Sequence, residues 1–239
     1  MKLSYTIIII CAISLSAYSQ YNPGAKQISL SNSDVAQSND VFSLFNNPAG
    51  LSQMNWRELG IYYSPAPFGL SELTNGYVAY HEPTSFGSLG LGGMSYGFEL
   101  YRETKIVLGY SYNYQNKFFA GAAINYQTVS IKNYGNDGAL FFNVGGLAYI
   151  TELLRIGFSI QNLNRATFGD QDDQIPMQIN TGLSYDIVEE LTINLALEKD
   201  IKYKACLLYT SDAADERSSV VLGGRRNINK KKRKKKIKK

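Results

Sequence analysis

The sequence predicts an all-β protein: an antiparallel up-and-down β-barrel of the outer-membrane kind, led by a short segment that does not alternate. Three observations point there. Between Arg57 and Lys199, apolar residues alternate with small or polar ones at a period of two, the mark of strands with two unlike faces. A secretory leader precedes this stretch and no second long apolar run follows, so a membrane-spanning body has to be a barrel. The connections between the predicted strands also alternate, one long and the next short, as in outer-membrane barrels.

The leader is residues 1–19. Lys2 supplies the positive start, Thr6–Leu15 the apolar run, and Ala17 and Ser19 the small residues at the −3 and −1 positions of a cleavage site. The run is shorter than the roughly 18 apolar residues a transmembrane helix requires. Its Cys11 and the distal Cys206 are the two cysteines, so the segment between them has no disulfide framework, thiol nucleophile or Cys-based metal site.

Residues 20–56 form the next unit. Asn47-Pro48 favours a turn, Gly50 permits a left-handed cap, and Val41–Phe45 predicts a helical turn capped by Asn39 or Asp40. Nine strands are then expected, most near the 9–11 residues that cross a bilayer when tilted. They are Arg57–Ser64, Gly76–His81, Ser88–Gly97, Lys105–Tyr114, Phe118–Thr128, Ala139–Ile150, Leu153–Gln161, Gln178–Ile187 and Leu191–Lys199. In the fourth, Ile106, Leu108, Tyr110, Tyr112 and Tyr114 share the apolar face, while Val107, Gly109, Ser111 and Asn113 share the other. By the same parity, Asn113, Asn125, Gln127, Arg155, Gln161 and Asn180 are candidate lumen-facing residues. Tyr114, Phe118, Tyr126 and Tyr185 lie near strand ends on the apolar face, as interfacial aromatic girdles do. Inward Gly109, Gly121, Gly145, Gly157 and Gly182 admit two readings, close approach of another backbone or relief of sheet curvature.

Pro65–Asn75, Phe98–Thr104, Val129–Gly138 and Asn162–Met177 are the long connections. Glu82–Gly87, Gln115–Lys117, Thr151–Glu152 and Val188–Glu190 are the short ones. Short turns belong to the periplasmic side, which places the N-terminus there. A secreted β-sandwich also alternates but has no reason to sort its loops, and it is the rival architecture.

Few residues suggest chemistry. His81 is the single histidine, at a strand end beside Glu82-Pro83, and reads as a surface or interface residue rather than a base. Asp170, Asp172 and Asp173 in the longest connection are weak candidates for Ca²⁺ and read better as a solvated loop. No P-loop, nucleophile elbow or His/Cys cluster occurs, so the expectation is a non-enzyme without cofactor or metal.

The net charge of +4 invites a nucleic-acid reading that its distribution removes. Twelve of the 24 basic residues lie in Cys206–Lys239, whereas Gln20–Ala205 carries 11 basic and 17 acidic residues. The run Cys206–Glu216 reads, residue by residue, as a translated transposase adapter of the kind used in sequencing libraries. The lysine-rich end reads as translated poly-A. Residues 206–239 are therefore expected to be foreign to the protein, residues 57–205 to be a partial barrel, and no nucleic-acid partner is expected.

The segment before the strands carries a resemblance. Gly24-Ala25-Lys26, Ser33-Asp34-Val35-Ala36, Asp40-Val41-Phe42 and above all Asn46-Asn47-Pro48-Ala49-Gly50-Leu51 are similar to the PorV/PorQ-type outer-membrane proteins of the FadL-like superfamily. The resemblance implies a fourteen-stranded barrel, about five strands of which would be absent here, and a hatch folded into the lumen with Asn46–Leu51 as its motif. It implies lipid around the barrel. It also implies either type IX secretion, with secretion-system components or secreted cargo as partners, or FadL-like uptake of hydrophobic small molecules.

Overall fold

Alternation becomes one sheet. The computed structural model describes residues 23–169, 175–188 and 191–201, all within a single unit spanning Ser19–Leu208. The leader, the Asp170, Asp172 and Asp173 cluster, and the adapter-like tail lie outside the described residues.

The nine strands are β1 (Glu58–Ser64), β2 (Asn75–Thr84), β3 (Gly87–Gly97), β4 (Tyr101–Tyr114), β5 (Phe118–Ile131), β6 (Gly135–Tyr149), β7 (Leu154–Gln161), β8 (Gln178–Val188) and β9 (Leu191–Asp200). They pair antiparallel in chain order from β1 to β9. This is an up-and-down meander, in which each strand lies beside the next because a tight turn is the shortest return path. A sandwich would need two packed sheets, and the described strands form one. Both β1 and β9 have a single neighbour among the described residues.

The strands run further than the alternation suggests. The ladder pairs Tyr101 with Ile131 and Ile131 with Gly135, so the expected loops Phe98–Thr104 and Val129–Gly138 shrink to residues 98–100 and 132–134. Asn133 (φ 68°) and Gly135 (φ 121°) take the left-handed conformations that so tight a return demands. Residues 65–74 and 162–177 remain as the long connections, both at the same end of the sheet. Asn162 organises the second. Its side chain accepts from Ala166 N at 2.8 Å and donates to the Ile175 carbonyl at 2.6 Å, tying the connection's two ends together.

The two faces of the sheet differ completely. One is covered by residues Pro23–Met54, and Tyr77, Ala79, Met94, Val107 and Ala123 join its buried cluster. The other is bare and apolar: Ile61, Leu91, Ile106, Leu108, Ile124, Leu140, Phe158, Leu183 and Leu195 all project from it, exposed. An apolar surface spread over nine strands far exceeds the few hundred Å² that a monomeric water-soluble protein carries.

Candidate functional site: the segment that covers the sheet

The covering segment is almost without regular structure, so its backbone groups must find partners elsewhere. It contains two short helices, Ala25–Ser29 and Ser43–Asn46, and a 3₁₀ turn, Pro48–Gln53. Three side chains hold it in shape.

Asp40 is the first. Its carboxylate accepts from Phe42 N at 3.0 Å, from Gln27 Nε2 at 2.9 Å and from Lys26 Nζ at 3.2 Å. Its bond to Phe42 N closes a turn ahead of the next helix, but that helix has Phe42 at its N-cap and no side-chain cap, so neither Asn39 nor Asp40 caps it as expected, and Asn39 accepts from Lys26 instead. The helix it precedes starts at Ser43, two residues later than the Val41–Phe45 pattern suggests.

Asn47 is the second, and it is fully buried. Its amide donates to the carbonyls of Val35 (2.7 Å) and of Gly146 in β6 (3.3 Å). Its oxygen accepts from Ala49 N at 3.3 Å, capping the 3₁₀ turn that Pro48 opens. The Asn-Pro pair is thus a cap followed by proline at the first helical position, a signal present in the sequence beyond the turn preference read there.

Asp34 is the third. It is 2% exposed, and Asn46 Nδ2 donates to it at 3.3 Å. Burial raises its carboxyl pKa; the Asn46 bond and the Lys26 charge oppose the rise, and the Asp40 charge adds to it. The folded state therefore keeps this proton to higher pH than the unfolded chain does. Stability from this group is full below the ordinary carboxyl range and is lost as pH rises through the folded-state value. Asp34→Asn, neutral and of the same shape, is expected to match wild type at about pH 4 and to exceed it increasingly toward about pH 8. Urea unfolding in detergent across that range checks this; a difference that does not change with pH refutes it.

The segment is seated by the absence of side chains beneath it. A Cβ on Gly121 of β5 would stand 2.4 Å from the Pro48 carbonyl carbon and 2.5 Å from Ala49 N. One on Gly145 of β6 would meet Asn47 Oδ1 at 2.0 Å, and one on Gly157 of β7 the Val35 oxygen at 2.3 Å. On β4, Gly109 lies beneath Leu44, and on β8, Gly182 lies beneath Val35. Gly121 faces Gly145 across the ladder, as Gly157 faces Gly182. Of the two readings of these glycines, close approach of a second backbone is what the contacts show at Gly121 and Gly157, while at Gly109, Gly145 and Gly182 side chains of the segment take the space. Gly50 serves the same end. Its φ is not positive, so no left-handed cap forms; the Ser38 carbonyl simply leaves no room for a Cβ there, at 2.2 Å.

Polar bonds complete the seat. Ser111 of β4 accepts from Ser52 N at 3.0 Å and donates to the Ala49 carbonyl at 3.2 Å. Tyr149 of β6 donates to Gln53 Oε1 at 2.8 Å, and Asn194 of β9 donates to Gln37 Oε1 at 2.6 Å. Asn46, Asn47, Pro48, Ala49, Gly50 and Leu51 are all buried in this arrangement.

The six residues assigned by parity to the lumen sit on the covered face at scattered places. Asn125 is buried, and Gln127 donates to Glu103 at 2.8 Å. Arg155 pairs with Asp186 at 2.6 Å and lies over the Tyr149 ring. Gln161 lines a cavity, and among the described residues the Asn180 oxygen has no partner and Asn113 bonds only within its turn, to Asn116. They form no single constellation, and no group of three metal-ligating side chains occurs among the described residues.

His81 is a correction. It is fully buried rather than at a surface, because its place in β2 turns it to the covered face, where Nδ1 meets the Trp56 carbonyl at 2.9 Å. Glu103 and Lys105 are residues that sequence reasoning missed. Both face inward near the start of β4, and the expected strand began only at Lys105.

No curated protein matches the chain. A solved structure, the "CymD monoaromatic hydrocarbon channel", aligns at 13% identity with a TM-score of 0.46, over 77% of this chain and 62% of that one. The chain thus spans less than two thirds of that structure's length. Residues 85–232 match the family described as type IX secretion system membrane protein PorP/SprF. The match starts beyond the Asn46–Leu51 motif that suggested PorV/PorQ and runs past Ala205 into the adapter-like segment. The two readings share type IX secretion and differ in the family. With more than half of its residues inside that match, the chain belongs to the PorP/SprF family of type IX secretion system membrane proteins.

Proposed function

We propose that the protein is a non-enzymatic outer-membrane barrel whose lumen is closed by its own N-terminal segment, and that it serves secretion or surface attachment of cargo rather than passage of small molecules. The bare apolar face meets lipid, the end of the sheet with the N-terminus and the turns at 85–86, 115–117 and 150–153 faces the periplasm, and the end with the long connections 65–74 and 162–177 faces outward, together with the turns at 98–100 and 132–134. The observation that carries this reading is backbone lying on backbone, with Pro48–Ala49 resting on Gly121 and Val35–Ala36 on Gly157. A segment seated that closely on strand after strand is a structural plug, since opening it means breaking its bonds to β4, β6 and β9 together. Within the type IX reading, the PorV/PorQ-type role suggested by the Asn46–Leu51 motif is the finer assignment.

Deleting the gene tests the proposal. Type IX cargo is expected to stay in the periplasm of the deletion strain and to return to the surface on complementation. Proteoliposomes of the purified protein are expected to pass no fatty acid or small aromatic. Normal cargo display in the deletion strain, or saturable flux through the protein, overturns it.

A further inference from the structure

At the long-connection end of the covered face lies a cavity of about 150 Å³, a volume on the scale that holds a single benzene ring. Phe45, Tyr77 and Phe141 give it aromatic walls, and Lys105, Gln161 and Gln178 give it polar ones. Lys105 is the unusual member. Its ammonium rests 5.6 Å from the centre of the Phe141 ring, and no carboxylate lies within ion-pair distance of it among the described residues. The nearest acid along its own strand face, Glu103, is already engaged, accepting from Tyr101 Oη at 2.5 Å and from Gln127 at 2.8 Å. The Gln161 amide, which also lines the cavity, makes no hydrogen bond among the described residues.

An ammonium has three donors and a charge to compensate, and an aromatic face answers only part of that demand. Water entering the cavity would satisfy the donors and screen the charge without neutralising it. A carboxylate answers both, and Gln161 adds a further donor to the cavity lining. The aromatic lining of Phe45, Tyr77 and Phe141 suits one planar apolar body beside the carboxylate. We propose that this cavity is a binding site for a small aryl carboxylate, with Lys105 as the charge partner and Phe45, Tyr77 and Phe141 enclosing the ring. The site goes beyond the secretion reading and does not depend on it, since it needs neither cargo nor passage through the barrel.

Equilibrium dialysis of the full chain in detergent, with benzoate as probe and benzamide as its neutral counterpart, tests the site. Benzoate is expected to bind saturably at one per chain, and benzamide at least about tenfold more weakly, because a charge-assisted bond is lost. Lys105→Met is expected to weaken benzoate by at least about tenfold, and Lys105→Arg to retain it. Lys105 is half-buried and has no ion-pair partner among the described residues, so Lys105→Met is expected to unfold at equal or higher urea than wild type while binding less. Gln161→Met provides a second variant at the wall, expected to weaken benzoate more than benzamide. No saturable benzoate binding, equal binding of benzoate and benzamide, or unchanged benzoate affinity in a folded Lys105→Met protein overturns the proposal.

Discussion

Gly121→Val is expected to unseat the N-terminal segment. The first atom of any side chain at this position would sit 2.4 to 2.6 Å from three backbone atoms of Pro48 and Ala49. Backbone cannot rotate aside as the end of a side chain does. Pro48 and Ala49 are further held by the Asn47 cap and by Ser111, so relief requires the whole 3₁₀ turn to lift. Overpacking costs typically reach about 3 kcal/mol, which corresponds to roughly two orders of magnitude in the population of the lifted state. Trypsin cleavage after Lys26 reads that population directly in detergent, and the variant is expected to be cut about a hundredfold faster. Gly93→Ala is the control. It lies on the bare face of β3, where a Cβ meets Val78 at an ordinary 3.6 Å, and it is expected to be cut at the wild-type rate. Equal rates for Gly121→Val and wild type would mean that the segment is not held by this contact.

That glycine shows what could be read before the fold was known. Period-two alternation placed Gly121 and its counterparts on the inward face, and it located nine strands, because a half-apolar strand writes its two faces directly into its sequence. What the glycines were for could not be read. Curvature relief and close approach ask for the same residue, and only the position of Pro48 over Gly121 separates them. Strand ends were hidden for a related reason. Arg102, Glu103 and Thr104 look like loop residues, and Glu103 is tolerated inside only because Gln127, its diagonal neighbour on β5, and Tyr101 both donate to it. His81 was misplaced because a lone histidine beside Glu-Pro at a predicted strand end resembles a turn residue, whereas β2 continues to Thr84 and holds His81 on the covered face with Tyr77 and Ala79. Asn47 was within reach. Asparagine before proline is a cap signal, and what the sequence could not supply was the pair of carbonyls, Val35 and Gly146, brought to it from two other parts of the chain.

Leu108→Arg is expected to prevent stable assembly in a bilayer while Tyr134→Arg leaves it unchanged. Leu108 lies mid-strand in β4, between Leu91 of β3 and Ile124 of β5, on the bare face, and is 54% exposed. If that face meets water, arginine there is a surface substitution and changes stability by no more than about 0.5 kcal/mol. If it meets hydrocarbon, the guanidinium must be held near the centre of the bilayer at a cost of about 2–4 kcal/mol. The two environments thus predict outcomes that differ several-fold in energy from one residue. Tyr134 sits at the tip of the β5–β6 turn, 90% exposed, beyond the ends of the paired strands, so an arginine there faces water under either reading. Urea titration of folding into lipid vesicles, followed by the shift in gel mobility of the folded form, measures both variants on one scale. A midpoint for Leu108→Arg far below that of Tyr134→Arg assigns the bare face to lipid. Coincident midpoints would remove the membrane from the physical account of this sheet and leave its nine strands of exposed apolar side chains in need of a protein partner.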